Sequence, residues 1–129
     1  MSLFIDDFYK LVPIIRERVG EDIKVGGYGH VGDGNIHINV TVTGYENETT
    51  AKKVQDLLEP YVLEEVARRK GSISAEHGVG FAKAQYLMLS KSDAMIDAML
   101  AIKNSLDPNG IMSPYKVFPH GRKIIWKSA

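Results

Sequence analysis

Four histidines occur in the chain, and two of them, His30 and His37, flank the run Val31-Gly32-Asp33-Gly34-Asn35-Ile36. Asp-Gly is a dipeptide favoured by two-residue type I′ hairpin turns, whose central residues both need positive φ. Such a turn at Asp33-Gly34 sets His30 and His37 opposite each other, with Cβ atoms about 5 Å apart on one sheet face. Two imidazoles at that separation can converge on one divalent ion, with bonds of about 2.0 to 2.1 Å if the ion is zinc. A third ligand is available in Glu76, within Ser74-Ala75-Glu76-His77-Gly78-Val79-Gly80. Its carboxylate is hard enough for Zn²⁺, Mn²⁺ or Fe²⁺, and two His with one carboxylate leave coordination positions open for a substrate. His77 would face the other way in a continuous strand, but Gly78 and Gly80 permit a turn that lets it serve as a general base. On spacing alone a second reading stays open, in which both histidines are half-buried sheet residues satisfied by hydrogen bonds and Glu76 sits on a surface turn.

The elements that must position these groups are legible in the apolar periodicity. From Asn35 to Thr43 polar and apolar residues alternate strictly, which predicts a half-buried antiparallel strand. Asn35, His37, Asn39 and Thr41 then share one face, and Ile36, Ile38, Val40 and Val42 the core face. Phe4, Phe8, Leu11, Val12, Ile15 and Val19 recur at helical spacing, predicting a first helix that ends near Gly20 and kinks at Pro13. A second helix is expected from about Thr50 to Arg69, with Val54, Leu57, Leu58, Tyr61, Val62 and Val66 on one side, a kink at Pro60 and Gly71 as its C-terminal cap. Ser72-Ile73-Ser74-Ala75 predicts a short second strand leading into Glu76. A last helix spans about Ser92 to Leu106, with Ser92 or Asp93 as N-cap and Asp107-Pro108-Asn109-Gly110 as its stop. Residues 111–129 show no period, and Met1-Ser2-Leu3, an abrupt start, carries no weight in the expected fold. With no repeat or linker, one domain over residues 3–129 is expected. Its class is α+β: a small antiparallel sheet with helices packed on one face, leaving the other free for a site or partner.

Composition narrows the function further. The chain has 129 residues, 44% of them hydrophobic and 25% charged, with 16 basic and 16 acidic residues for a formal net charge of zero. This is the balance of an ordinary globular domain and produces no overall field to attract nucleic acid or an anionic membrane. No apolar run approaches the roughly 20 residues of a membrane span, and no secretory signal opens the chain, so it is expected to be cytosolic or to have lost a targeting segment. The absence of cysteine excludes disulfides and thiolate sites, so any metal must be held by His, Asp or Glu. Gly27-Tyr28-Gly29-His30-Val31-Gly32 matches G-x-G-x-x-G, and Glu48 lies near the spacing of a ribose-binding acid. A dinucleotide site, however, needs a helix opening at the third glycine, and a strand is expected there. The sequons at Asn39 and Asn47 are read as chance, Glu64 to Lys70 as a solvated helix face, and Arg122, Lys123, Trp126 and Lys127 as a loosely packed terminus.

Three ordered motifs carry a family resemblance: Gly29-His30-Val31-Gly32-Asp33-Gly34-Asn35-Ile36-His37, Ser74-Ala75-Glu76-His77-Gly78-Val79-Gly80, and Leu106-Asp107-Pro108-Asn109-Gly110-Ile111-Met112 followed by Pro114-Tyr115-Lys116. Together they resemble the C-terminal part of FAD-linked D-2-hydroxyacid dehydrogenases. That group includes D-lactate and D-2-hydroxyglutarate dehydrogenases, the glycolate oxidase flavin subunit and a yeast relative called actin-interacting protein. The resemblance runs from Ile23 to Pro119 and implies a ferredoxin-like substrate (cap) domain. It implies that His30, His37 and Glu76 hold zinc or manganese, which binds the hydroxyl and carboxylate of a small 2-hydroxy acid. It implies that Asn39 touches the substrate, that His77 takes the hydroxyl proton while hydride passes to the flavin, and that Lys116 lies in a segment returning toward the flavin. Ser113 stands where the family often has asparagine.

The family's FAD-binding domain and the first part of its substrate domain, with a substrate-binding arginine, have no counterpart in these residues. The chain alone is therefore expected to be inactive and to expose apolar surface that favours self-association. Family members are mitochondrial in eukaryotes or cytoplasmic in bacteria. Two other functions remain open from sequence: a stand-alone metal-binding or protein-interaction module, and an autonomous metal hydrolase using the same ligands to activate water.

Overall fold

The structure, a computed structural model, describes residues 1–42 and 48–119. They form two compact units, Met1–Glu76 and a second beginning at His77. The architecture is mixed α and β, as the alternating and helical patterns predict, with one two-stranded antiparallel sheet among the described residues.

In the first unit, strand β1 (Ile23–His30) pairs antiparallel with β2 (Asn35–Val42). The expected two-residue turn is replaced by a longer one: Val31–Asp33 form a single 3-10 turn, and Gly34 closes it in the left-handed region at φ 73°. Asp33 carries this geometry, because its carboxylate accepts from the Asn35 backbone N–H at 3.1 Å and from the Asn35 side-chain amide at 3.0 Å. That local hydrogen bonding outweighs the type I′ preference of Asp-Gly. The register consequently pairs His30 with Asn35 and Tyr28 with His37, so the two histidines are diagonal neighbours rather than directly opposed. A four-residue connection in place of a two-residue one shifts the pairing by an even number, so both still share a face.

Helix α1 (Leu11–Val19) packs on β1 and buries Leu11, Val12 and Ile15. The expected single helix from Phe4 is broken: Ile5–Asp7 form a separate 3-10 turn, Phe4 is exposed, and Phe8 is fully buried between the two pieces. Pro13 falls in the first turn of α1, where a missing N–H removes no intrahelical bond. Arg16 fastens the far end of the helix by donating twice to the Val25 carbonyl, at 3.0 and 2.7 Å.

Helix α2 (Glu48–Arg68) contains Pro60 and buries Leu58, Val62, Leu63 and Val66. Leu57, expected inside, is exposed, and Leu63 takes that share of the core. Glu65 is buried and compensated by Arg68 at 2.5 Å and Arg69 at 3.5 Å, while Arg69 also reaches Asp7 at 3.1 Å. The helix closes in a Schellman pattern: the Gly71 N–H donates to Val66 and the Lys70 N–H to Ala67. Lys70, at φ 56°, rather than Gly71, occupies the left-handed position.

The three residues given no weight in the sequence prove to be structural. Ser2 bridges to Asn35 on one side and to Ser72 on the other. Ser2 and Ser72 exchange N–H···O bonds at 2.9 Å, Leu3 donates to Gly34, and Ile36 donates to Met1. Two glycines admit this strip: a Cβ on Gly34 would sit 2.2 Å from the Leu3 carbonyl oxygen, and one on Gly71 would sit 2.3 Å from that of Ser2. The expected strand over Ser72–Ala75 is thereby reduced to one bridging residue. Beyond it the chain turns, because the Ser72 hydroxyl accepts from the Ala75 N–H at 3.2 Å and from the Ser74 N–H at 3.4 Å.

The second unit is built on helix α3 (Asp93–Leu106), whose N-cap is Ser92, accepting from the Met95 N–H. Leu87, Ile96, Leu100 and Phe118 form its core. Asp107 ends the helix as the stop predicted there, accepting from the Ile111 and Met112 N–H groups at 3.1 and 3.0 Å and pairing with Lys103. The Lys103 ammonium holds the Asp107 carboxyl below its ordinary value, and the two backbone donors act in the same direction.

Candidate metal centre

The face of the hairpin opposite the core carries Tyr28 and His30 from β1 and Asn35, His37 and Asn39 from β2, since side chains alternate along each strand. The apolar residues take the other side: a Cβ on Gly27 would collide with Val12 of α1 at 2.5 Å. The Ser2–Ser72 bridge then delivers Glu76. The turn after Ser72 passes through Ala75 at φ 45°, a left-handed conformation for a residue with a Cβ, and the next side chain is aimed at the histidines.

His37 Nε2 lies 3.2 Å from Glu76 Oε1 and His30 Nε2 lies 4.0 Å from the same oxygen. One ligand atom from each of His30, His37 and Glu76 falls within 4.8 Å of the others. Donors bound to one tetrahedral zinc at about 2.0 to 2.1 Å stand about 3.3 Å apart. The Glu76–His37 pair already stands at that spacing, His30 must close in for the set to hold one ion, and it has room to do so, with its side chain 63% exposed. His37 is 25% exposed and Glu76 44%, so the cluster is open on one side to an incoming molecule. Two nitrogen donors with one carboxylate form the mixed set that divalent ions with a preference for imidazole take.

The rings are ordered around His37. Tyr28 stacks on it with centroids 5.2 Å apart and planes 18° from parallel, while His30 meets it edge-on at 5.8 Å and 72°. Asn39 is exposed two residues along β2, about 7 Å of strand from His37, and pairs across the ladder with Gly26. His77 follows Glu76 in the chain, is exposed and opens the second unit, where Gly78 and Gly80 both adopt positive φ. Lys116 is exposed in the same unit, between Tyr115 and Val117, whose φ values are 62° and 73°. Among the sequence-derived site residues, the structure gathers His30, His37 and Glu76. Tyr28 was absent from that set, although its position two residues before His30 marks it as sharing the same face. The G-x-G-x-x-G match leads into a 3-10 turn and then a strand, so it offers no helix N-terminus to a pyrophosphate. Asn47 and the basic terminus, Arg122 to Lys127, lie outside the described residues.

Fold and cluster together define an α+β domain whose open sheet face presents a convergent His, His and carboxylate set. Residues 1–117 match the family described as FAD linked oxidases, C-terminal domain, and the chain belongs to that family. It is 45% identical over 120 residues to the mitochondrial D-2-hydroxyglutarate dehydrogenase of Arabidopsis thaliana, covering 93% of this chain and 21% of that protein. The corresponding enzyme of Bos taurus is 46% identical over 120 residues, covering 92% and 21%. A D-2-hydroxyglutarate–pyruvate transhydrogenase of Saccharomyces cerevisiae is 46% identical over 126 residues, covering 90% and 24%. The chain thus spans about a fifth of the length of these relatives.

Proposed function

We propose that this domain is the metal-holding and substrate-orienting part of an FAD-dependent D-2-hydroxyacid dehydrogenase, which oxidises a 2-hydroxy acid to the 2-oxo acid. The observation that carries the reading is the approach of both imidazole Nε2 atoms to one Glu76 oxygen on an open polar face, in a family named for FAD-linked oxidation. His30, His37 and Glu76 would hold zinc or manganese, whose charge favours ionisation of a hydroxyl beside a carboxylate. Asn39, on the same face, would hydrogen-bond the substrate. His77 would take the hydroxyl proton as general base. FAD, held by the family's flavin domain, would supply the acceptor for the Cα hydrogen and its electron pair, so that with the hydroxyl proton taken by His77 the oxidation to the 2-oxo acid balances. Lys116 belongs to the part that would face that flavin domain. We take residues 3–129 as one functional domain that comprises the two compact units, and extend to a eukaryotic source the mitochondrial location named for the plant and cattle relatives.

Elemental mass spectrometry of the purified chain tests the centre. The wild type should carry near-stoichiometric zinc or manganese, and His37→Ala and Glu76→Ala should each lose at least tenfold in affinity, as removal of a direct ligand demands. A wild type that binds no divalent ion, or variants that keep it, would show the cluster to be a hydrogen-bonded surface group instead.

A further inference from the structure

We propose that Tyr28 is the positioning residue of this centre: its ring fixes the plane of the His37 imidazole so that Nε2 faces Glu76 before any ion arrives. The inference rests on the metal reading above and adds to it a residue that does not itself ligate.

The χ2 torsion of histidine is broad, so β2 alone fixes where the His37 ring starts but not how it is turned. Three neighbours supply the missing constraint. Tyr28 lies directly across the ladder from His37, and its ring is stacked on the imidazole at 5.2 Å and 18°. His30 closes the adjacent side edge-on at 5.8 Å, and Glu76 stands 3.2 Å from Nε2. His30 and Glu76 are themselves donors that must shift as an ion enters, whereas Tyr28 does not ligate and its stack on the imidazole can persist through that shift.

Tyr28 is poorly explained as a core residue. Its side is the polar face of the hairpin, and it remains 56% exposed. A large aromatic ring left in water on a strand is accounted for by the ring beside it. Orienting a ligand in advance lowers the ordering needed when the ion binds, and aromatic stacking of this kind is worth about a threefold to tenfold factor in an equilibrium constant. The stacking uses the ring and not the hydroxyl, so phenylalanine should serve equally well.

The test is a competition titration of zinc against a chromophoric chelator, using the full chain and its Tyr28→Phe, Tyr28→Leu and His37→Ala variants. Tyr28→Phe is expected to bind within about twofold of wild type and Tyr28→Leu threefold to tenfold more weakly, with each variant still unfolding cooperatively in urea in its metal-free form. Wild-type affinity in Tyr28→Leu, with His37→Ala still defective, would overturn the positioning role and leave the metal centre standing. An equal loss in Tyr28→Phe would move the role to the hydroxyl and overturn the stacking argument. Unaltered binding in His37→Ala would remove the centre and this inference together. Proton NMR of the metal-free chain gives a readout independent of folding in the leucine variant. The His37 ring protons should carry an upfield ring-current shift in wild type and Tyr28→Phe, and its absence from the wild type would overturn the stack.

Discussion

At the scale of single residues, the geometry around Glu76 depends on an alanine in an unfavourable conformation. Ala75 has φ 45°, and a left-handed backbone costs a residue with a Cβ about 1–2 kcal/mol. Two hydrogen bonds to the Ser72 hydroxyl hold the turn in that conformation, and the product is a glutamate turned back toward β2. Such strain beside a candidate site is informative because packing elsewhere must sustain it. Replacing Ala75 by glycine removes the Cβ contribution while adding about 0.5–1 kcal/mol of unfolded-chain entropy. The net expectation for Ala75→Gly is a gain of about 0.5–1 kcal/mol in urea denaturation, with zinc affinity within about twofold of wild type. A loss of stability would mean that the alanine methyl makes packing that outweighs the strain.

At the scale of elements, Glu76 reaches the hairpin through the strip Met1–Leu3, which lies between the start of β2 and Ser72. Gly71 lets that strip approach, and a methyl there would stand 2.3 Å from the Ser2 carbonyl oxygen and 2.9 Å from a Val66 methyl. Gly71→Ala should therefore cost about 1–3 kcal/mol of stability, as overpacking against fixed backbone does. It should also weaken zinc binding, because the displaced segment carries Glu76. Thermal unfolding and the chelator titration would check the two effects separately, and wild-type values in both would remove the strip from the site. This element was illegible in the sequence, since three residues of pairing show no period and their partners lie more than thirty positions away. The alternation of β2, by contrast, was legible, and so was the sharing of one face by His30 and His37. That conclusion survived an incorrect turn because both connections differ by an even number of residues. The strand expected at Ser72–Ala75 failed for the opposite reason: a serine hydroxyl captured the next N–H groups and turned the chain. Tyr28 was hidden by the glycines around it, which drew the reading toward backbone conformation and away from the side chain they frame.

At the scale of the whole molecule, the second unit presents apolar side chains that its own core does not use. Ile96 and Leu100 face inward on α3, whereas Met95, Ile102 and Leu106 recur seven and four residues apart and form a separate exposed stripe. Ile102 is 62% and Leu106 81% exposed, and Ile111 and Met112 just beyond the helix are exposed as well. Burying a side chain of this size removes it from water with a gain of about 1.5–3 kcal/mol, so two such stripes brought together recover several times that before the loss of rotational and translational freedom is counted. The chain at high concentration should therefore show a weight-average mass in sedimentation that rises with concentration. Ile102→Glu combined with Leu106→Glu should return it to the monomer, because two charges cannot be buried without partners, and the far-UV spectrum should stay that of the wild type because neither residue is in the core. A wild-type mass independent of concentration would show that the stripe does not pair with itself, and would turn attention to the four-fifths of the relatives' length that lies outside the match.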